Sequence, residues 1–430
     1  MHNPDVSAPP ALALFPQTVA VEAGELTVGG ARASALADEF GTPLVVFCEA
    51  TLRARARAYT GSAPNALIVF GTKAFPNVAL LRVLVEEGLG ADVSTLGELR
   101  FALAADVPPD RIVVHGNNKS DEELQAAAAA KAALVVLDAP DEPERAAAAG
   151  IRHVLLRVTP GIDADTHEAI RTAHRGSKFG LPPEHALAVI DDARARGLDV
   201  AGLHVHVGSQ LLDPAASLAT VDWLAAFAAR ARAELDWTPT VIDLGGGLGI
   251  AYHEDDERPD PAQFARALLG AQARAWALHD LPPPRLILEP GRSIVGPAAL
   301  TLYRVGAVKD ASETTTWAAI DGGMSDNPRP LLYGARLTAV LANRVDAEPD
   351  GSYGIAGKHC ESGDVLIERA TLPRPRRGDL LAVPATGAYT LGMASTYNGV
   401  PRPAAVLVDG GRIRIIRRRE TVDDLLRYEA

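Results

Sequence analysis

The amino-acid sequence predicts an eight-stranded α/β barrel followed by a mainly β second domain. Short runs of β-branched and aliphatic residues alternate with Ala-, Leu- and Arg-rich helical stretches eight times before about Pro297. After Pro297, strand-like runs are separated by turn residues instead. Eight βα units in roughly 250 residues are typical of a closed (β/α)8, or TIM-type, barrel. A doubly wound open sheet produces the same alternation, so the sequence leaves closure open.

The predicted barrel domain covers residues 40–298. Its strands are mostly Val-, Ile- and Leu-rich without clean alternation, as parallel strands buried on both faces should be. The helical segments between them include Asn77–Glu87, Asp121–Lys131, Pro183–Arg196, Ala215–Leu235 and Pro261–Leu278. The predicted strands are Ala66–Phe70, Gly90–Val93, Arg111–His115, Ala133–Asp138, His153–Val158, Gly202–Val207, Thr240–Leu244 and Arg285–Leu288.

The second domain is predicted to be all-β and to combine residues 1–39 with residues 299–430. The sequence Asp409-Gly-Gly is a good hairpin turn. Glu25–Val28 is a candidate N-terminal strand of this domain. The other predicted strands are Thr301–Val308, Thr315–Ile320, Leu337–Leu341, Asp364–Ile367, Asp379–Val383, Ala404–Val408 and Arg412–Ile416.

Composition excludes several classes of partner. The net charge of −12 disfavours nucleic acid and anionic membranes, which both need a basic protein surface. No run approaches the roughly 18 apolar residues of a membrane span, and the N-terminus lacks a basic segment followed by an apolar one. The two cysteines, Cys48 and Cys360, do not suggest a disulfide framework. We therefore expect a cytoplasmic protein.

Reactive and anion-binding residue types follow most of the predicted barrel strands. In an α/β barrel these carboxyl-terminal strand ends meet on one face, which carries the active site. Lys73, one of only six lysines, follows the first strand. On position alone a solvated loop lysine is the better interpretation, but the other strand ends favour a desolvated, nucleophilic amine.

The glycine triplet Gly245–Gly247 follows the seventh predicted strand, and Arg292 follows the eighth. Backbone N–H groups of such a triplet can approach an anion closely, and barrels often bind phosphate after strands seven and eight. Taken alone the triplet is as consistent with a plain turn. Its place before Arg292 favours a phosphate site.

His204 and His206 alternate on one strand and therefore face the same way. A metal pair is the alternative, but we expect no metal because no matching cluster is recognisable in the sequence. His204 is expected to be a core histidine, whereas His206 lies nearer the strand end and is placed to stack on an aromatic cofactor. Glu289 ends an apolar strand and needs a partner: a protonated ring nitrogen, or Arg292 in an internal salt bridge.

These motifs together resemble the diaminopimelate decarboxylase family of fold-type III pyridoxal-phosphate enzymes. The resemblance extends from about residue 40 to the C-terminus and is specific only as a set. It rests on FGTKAF from Phe70, GADVST from Gly90, HGNNKS from His115, RVTPGIDADTH from Arg157, SKFG from Ser177, HVHVGSQ from His204, GGGLGI from Gly245, EPGR from Glu289, DGGM from Asp321 and CESGD from Cys360.

The resemblance implies pyridoxal 5'-phosphate as cofactor, with Lys73 bound to it as a Schiff base and Asp92 nearby. It further implies that His206 stacks on the cofactor ring and that Glu289 pairs with the ring nitrogen. The remaining cofactor contacts that it implies are Ser209, Gly245, Gly246, Gly247, Pro290, Gly291, Arg292 and Tyr389.

For the substrate, the resemblance implies a distal grip by Arg329, Tyr333 and Glu361, and Cys360 as the proton donor. Tyr389 and Arg292 are also implied in substrate binding, with Arg292 left open between phosphate and substrate. The implied reaction converts meso-2,6-diaminopimelate to L-lysine and CO2, the last step of lysine biosynthesis. The implied assembly is a homodimer with shared active sites.

Three other functions remain open at this point. One is decarboxylation of ornithine, arginine or lysine on the same fold, which would require an acid but no arginine for the distal end of the substrate. Another is amino-acid racemisation, to which the paired Cys360 and Glu361 are poorly suited. The third is non-catalytic binding of the cofactor, which the presence of a second domain disfavours.

Overall fold

A computed structural model describes residues 9–161 and 176–430 of the chain. These residues form two compact units. The barrel unit comprises Arg55–Gly249 and Pro259–Ser293, and the β unit comprises residues 9–54, Ile250–Arg258 and Ile294–Ala430.

The strands in chain order are β1 (Ala20–Glu22), β2 (Glu25–Val28), β3 (Ala31–Arg32), β4 (Leu44–Cys48), β5 (Leu67–Gly71), β6 (Gly90–Val93), β7 (Ile112–Val114), β8 (Leu134–Leu137), β9 (His153–Arg157), β10 (Asp199–His204), β11 (Val241–Asp243), β12 (Arg285–Leu288), β13 (Ala299–Asp310), β14 (Thr316–Ile320), β15 (Val340–Leu341), β16 (Gly351–Ala356), β17 (Val365–Leu372), β18 (Leu380–Pro384), β19 (Ala404–Asp409) and β20 (Arg412–Arg417).

The helices are α1 (Ala33–Phe40), α2 (Glu49–Ser62), α3 (Val78–Glu86), α4 (Leu96–Ala104), α5 (Asp121–Ala129), α6 (Glu142–Ala148), α7 (Pro183–Ala195), α8 (Ala215–Leu235), α9 (Pro261–Leu278), α10 (Arg292–Val295), α11 (Arg329–Tyr333) and α12 (Val422–Leu426). None of the helices within the described ranges has the length and apolar character needed to cross a membrane.

Strands β5 to β12 form a closed parallel barrel, which confirms the predicted fold and excludes the open sheet. Parallel pairing of β12 with β5 closes the barrel, with Leu288 in register with Ile68. Aliphatic side chains from successive strands, including Val69, Val113 and Leu155, pack into one buried cluster. The barrel therefore has a packed interior, and the polar strand ends are gathered at one rim.

The β unit contains a nine-stranded mixed sheet whose main path runs β17-β16-β14-β13-β4-β19-β20. Strand β18 pairs with β13 and with β15. Two apolar clusters lie against this sheet, one around Val46 and Leu300 and the other around Tyr303 and Ile355. The unit also carries short helices, which the all-β prediction did not include.

The division of the chain differs from the predicted boundaries at two places. Strand β4 lies in the mixed sheet, antiparallel to β13 and parallel to β19, although residue 40 was taken as the start of the barrel. The segment Ile250–Arg258 also belongs to the β unit. Glu25–Val28 is a strand, but it lies in a separate three-stranded sheet with β1 and β3.

Candidate active site

The rim of the barrel unit brings together residues from the ends of six strands. Lys73 lies in a short 3-10 turn after β5, and Asp92 lies within β6. His115 follows β7, while His204 and Asp243 are the last residues of β10 and β11. Glu289 directly follows β12. The parallel barrel places these side chains at one end because every strand runs in the same direction.

Lys73 is paired with Asp92. Its Nζ atom lies 3.4 Å from Oδ2 of Asp92, whose side chain is buried. The Lys73 side chain is 48% exposed, so the prediction of a desolvated amine was wrong. The side chain leaves the strand at its carboxyl end and reaches the open rim, where a substrate or cofactor carbonyl has access to the amine.

Glu289 is held as a carboxylate by histidine. Its Oε1 lies 2.5 Å from Nε2 of His115, and its Oε2 lies 3.7 Å from Nε2 of His204. Burial opposes ionisation, but the neighbouring histidines outweigh it and hold the pKa of Glu289 well below its usual range. Burial lowers the pKa of His204 to about 3, so His204 is neutral near pH 7.

Asp243 is the second buried carboxyl group beside Glu289. Its Oδ1 accepts a hydrogen bond from the Gly245 N–H at 2.8 Å. Burial and the negative charge of Glu289 raise the pKa of Asp243 well above its usual range. The pKa values of two neighbouring carboxyls in a low dielectric are driven apart in this way, because each negative charge disfavours the other.

His206 lies beyond β10 and presents a neutral ring. Its Nδ1 accepts a hydrogen bond from the Gly246 N–H at 3.3 Å, which leaves its proton on Nε2. Burial, reinforced by the positive charges of Lys73 and Arg157, holds the pKa of His206 well below its usual range. A neutral imidazole with a fixed orientation is suited to stacking on a flat aromatic ring.

The glycine loop after β11 has the geometry of an anion cradle. Gly245 and Gly247 have φ angles of +65° and +104°, which other residues rarely adopt. A Cβ atom on Gly246 would lie 2.2 Å from the Glu289 carbonyl oxygen. Nearby, Nη2 of Arg292 donates to Oγ of Ser209 at 2.9 Å. This arrangement combines backbone N–H groups, a hydroxyl and a guanidinium, which are the usual ligands of phosphate.

Pro290 and Gly291 connect this cradle to the lysine turn. The Pro290 carbonyl accepts a hydrogen bond from the Gly71 N–H at 3.2 Å. A Cβ atom on Gly291 would lie 3.1 Å from the Gly71 carbonyl oxygen. The strand ends that carry Lys73 and Glu289 are therefore tightly packed against each other.

We expect Gly246→Ala to destabilise the barrel rim. The added methyl group would collide with the Glu289 carbonyl, and overpacking of this kind costs about 1–3 kcal/mol. Urea unfolding of the cofactor-free protein should therefore show a lower midpoint, and retention of the cofactor should weaken. Gly61→Ala is the matched control, because a Cβ there meets nothing within 4 Å. An unchanged midpoint for Gly246→Ala would contradict the cradle geometry.

The rim also contains a His and carboxylate cluster that the sequence analysis missed. One ligand atom from each of His115, His204, Asp243 and Glu289 lies within 4.8 Å of the others. The expectation that no such cluster accompanies His204 was therefore wrong. Its members come from four different strands, so their spacing in the sequence carries no recognisable signature.

Arg329, at the start of α11 in the β unit, is enclosed by aromatic rings. Its guanidinium carbon lies 4.3 Å from the Tyr252 ring centroid and 5.5 Å from that of Tyr333. The Arg329 residue is buried. Two rings orient the guanidinium plane by cation–π contact, which suits a fixed, bidentate grip on a carboxylate. Tyr252 was missed because it lies in the Ile250–Arg258 segment, which was assigned to the barrel.

Cys360 and Glu361 lie on an exposed loop of the β unit, between the buried residues His359 and Asp364. The carboxylate of Asp364 lies 2.7 Å from Nδ1 of His359. Tyr389 lies in a turn after β18 and has a φ angle of +56°. A non-glycine residue in this left-handed region is uncommon and often marks a functional position.

Part of one motif lies outside the described residues. The segment RVTPGIDADTH begins at Arg157, and residues 162–167 of it fall in the range 162–175. The described part places Arg157 at the end of β9, with its guanidinium carbon 4.5 Å from the centroid of the Phe179 ring.

The barrel unit defines the class of protein. Residues 49–296 match the model of the pyridoxal-dependent decarboxylase family, pyridoxal binding domain. The geometry fits such a cofactor: an accessible amine at Lys73, a buried carboxylate at Glu289 for a ring nitrogen, and the Gly245–Gly247 cradle for a phosphate.

The chain belongs to the diaminopimelate decarboxylase family. It is 43% identical over 422 residues to the diaminopimelate decarboxylase of Actinosynnema pretiosum subsp. auranticum, covering 97% of this chain and 95% of the relative. It is 38% identical over 418 residues to that of Bacillus subtilis, covering 94% and 95% of the two chains.

Solved structures of two decarboxylases share the fold of this chain. The diaminopimelate decarboxylase of M. jannaschii in complex with L-lysine has a TM-score of 0.89, 32% identity, and coverage of 96% of this chain and 98% of that chain. A lysine/ornithine decarboxylase of Vibrio vulnificus in complex with cadaverine has a TM-score of 0.77, 25% identity, and coverage of 87% and 97%.

Proposed function

We propose that this protein is a pyridoxal-phosphate-dependent decarboxylase that converts meso-2,6-diaminopimelate to L-lysine and CO2. The observation that carries the proposal is the barrel rim, where an accessible Lys73 lies beside Asp92 and Glu289 is held ionised by His115. Relatives and solved structures of the same family support the substrate.

When bound, pyridoxal phosphate supplies an electron sink for the electron pair left by a departing carboxylate. Lys73 would anchor it through the side-chain amine. Glu289 would hold a proton on the ring nitrogen, which needs a carboxylate that stays ionised in a buried site. Beside Glu289 the pKa of Asp243 is raised well above its usual range, which disfavours a second negative charge there.

Three groups would orient the cofactor. The neutral ring of His206 would lie against its flat face. The Gly245–Gly247 loop, Ser209 and Tyr389 would bind its phosphate, and we assign Arg292 chiefly to this group because it already bonds Ser209. After CO2 leaves, Cys360 would deliver a proton to the α-carbon as general acid.

Selectivity would come from the distal end of the substrate. Diaminopimelate carries a distal carboxylate and a distal ammonium group, whereas lysine and ornithine carry only the ammonium. Arg329 would bind the carboxylate as a bidentate fork, with Tyr333 beside it, and Glu361 would pair with the ammonium. The aromatic enclosure of Arg329 supports this assignment, because it fixes the plane of the fork.

We expect Arg329→Lys to raise KM for diaminopimelate strongly while the cofactor stays bound. Lysine keeps the charge but loses the planar fork and its stacking, and a charged hydrogen-bonded contact contributes about 1.5–3 kcal/mol. The expected increase is therefore roughly 10- to 100-fold, measured by steady-state kinetics. Arg336→Lys, an exposed arginine just after α11, is the control. A normal KM for Arg329→Lys would remove the distal grip from this residue.

The proposal is tested by a product assay. Purified protein with added pyridoxal phosphate would be given meso-diaminopimelate, ornithine, lysine and arginine in separate reactions, with products identified by mass. Lysine formed only from diaminopimelate supports the proposal. Amines formed from the other three would keep the cofactor chemistry but overturn the roles of Arg329 and Glu361.

We further infer a cytoplasmic homodimer with shared active sites, in which Cys360 and Glu361 of one subunit serve the cofactor of the other. The exposed position of both residues on the β unit supports this arrangement. Sedimentation of the holoenzyme measures the mass of the assembly and so tests whether it is a dimer.

A further inference from the structure

Cys360 lies in a tight loop, residues 357–364, which we name the Cys360 loop. Residues 360–363 are exposed, whereas His359 before them and Asp364 after them are buried. The position of such an exposed tip depends on how firmly its two buried ends are fixed and on the contacts of its own backbone.

The carboxylate of Asp364 fixes the stem of the Cys360 loop. Its Oδ2 accepts the His359 backbone N–H at 2.8 Å and lies 2.7 Å from Nδ1 of the same residue. Its Oδ1 accepts the Met324 N–H at 2.6 Å, which ties the loop to the segment after β14. A Cβ atom on Gly357 would lie 2.0 Å from Asp364 Oδ2, so the stem has no spare room.

Cys360 itself is held from a different segment. Its backbone N–H donates to Oδ1 of Asn398 at 2.9 Å, across 38 residues of sequence. Asn398 has φ +56° and ψ +22°, the left-handed conformation that asparagine tolerates better than most residues. The adjacent Tyr397 ring stacks on the His359 ring, with centroids 5.9 Å apart and planes at 25°.

These contacts give Asn398 a specific task. Within the loop, the Asp364 carboxylate holds His359 but does not reach Cys360. The backbone N–H of Cys360 takes its hydrogen-bond acceptor from the Asn398 side chain instead. This bond sets the orientation of the Cys360 peptide and therefore the direction in which its Cβ and thiol project. A general acid loses efficiency when its donor atom is displaced from the reacting atom.

We propose that Asn398 is a positioning residue that fixes the backbone of Cys360 and so directs its thiol for proton delivery. This proposal rests on the proposed role of Cys360 as the acid. The competing explanation is that Asn398 serves only the local turn through its left-handed backbone. The two explanations differ in whether the Asn398 side-chain oxygen is needed to position Cys360.

Two substitutions separate the explanations. Asn398→Gly keeps the left-handed backbone, which glycine adopts freely, but removes the oxygen acceptor. Asn398→Asp keeps an oxygen acceptor at the same place and also tolerates this backbone region. Asp280→Gly is the matched control: Asp280 is an exposed residue with φ +53° between α9 and β12 of the barrel unit.

The holoenzyme of each variant would be compared in two measurements. Hydrogen exchange resolved to the Cys360 amide should be about 3- to 10-fold faster in Asn398→Gly, the equivalent of one lost hydrogen bond. Steady-state kinetics should show kcat for diaminopimelate lowered about 5- to 10-fold with KM little changed, because a proton-transfer step is affected and substrate binding is not. Asn398→Asp and Asp280→Gly should both stay within about twofold of the wild type.

The proposal would be overturned by an Asn398→Gly enzyme with wild-type exchange and kcat, or by an Asn398→Asp enzyme as impaired as Asn398→Gly. Faster exchange with unchanged kcat would also overturn it, since the bond would then have no bearing on the acid. If the wild type forms no lysine, the proposed function fails first. Exchange at Cys360 still decides whether Asn398 holds the loop, and kcat is then compared on whichever amino acid the enzyme decarboxylates.

Discussion

Lys73→Ala should abolish both the visible absorbance of bound cofactor and the release of CO2. The Lys73 amine is proposed to attach the cofactor covalently, a role that alanine cannot perform. The fold should survive, because the Lys73 side chain is half exposed at the rim and its contact with Asp92 is long. The measurement is an absorbance spectrum of the purified protein with added pyridoxal phosphate, together with its unfolding midpoint in urea.

Lys309→Ala is the control for this experiment. Lys309 is exposed in β13 of the β unit and has no assigned role. It should retain the absorbance and the activity. If the band survived in Lys73→Ala and disappeared in another lysine variant, the attachment site would have to be moved and the interpretation of the barrel rim revised.

Cys360→Ala should lower kcat by about 100-fold or more while the cofactor absorbance stays intact. Positioned general acids contribute about 10²–10⁴ to rates, and alanine cannot donate a proton. Ser362→Ala, in the same exposed tip, is the control for disturbance of the loop. Alkylation of the wild-type enzyme tests the same role of Cys360, because Cys360 is exposed whereas Cys48 is buried.

Mixing the two inactive variants tests whether the site is shared. In mixed dimers, one of the two sites combines an intact Lys73 with an intact Cys360, so about a quarter of the wild-type activity should return. Near-normal turnover of Cys360→Ala alone would remove its role as acid. Failure of the mixture to regain activity would contradict the shared site while leaving the chemistry of each residue in place.

Most of the barrel was predictable from the sequence because parallel strands buried on both faces are continuous apolar runs. Gly90–Val93 and Arg285–Leu288 were predicted with their observed limits. Strand β4 was not predicted: its residues, Leu44–Cys48, fell inside the range assigned to the barrel, whereas they lie in the mixed sheet of the β unit. Strand β16 was missed because Gly351–Ala356 contains two glycines and a serine, a composition more typical of turns.

The individual residues of the site were easier to recognise than their pairings. Lys73 follows β5 and Asp92 lies in the adjacent strand β6, and the barrel brings them together as expected. The pairing of Glu289 with His115 was not predicted, because β7 and β12 are far apart in the sequence and on different sides of β5 and β6. The enclosure of Arg329 by Tyr252 depends on a segment that leaves the barrel between β11 and α9.

We propose that this enzyme decarboxylates a substrate with a distal carboxylate and stops at lysine. The most direct test is an exhaustive reaction of the holoenzyme with meso-diaminopimelate, followed by mass analysis of all amines. We expect one equivalent of lysine, which should persist without further loss of CO2 because it lacks the distal carboxylate that we propose Arg329 binds. Conversion of that lysine to cadaverine would contradict the claim and show that the distal ammonium alone is sufficient for recognition.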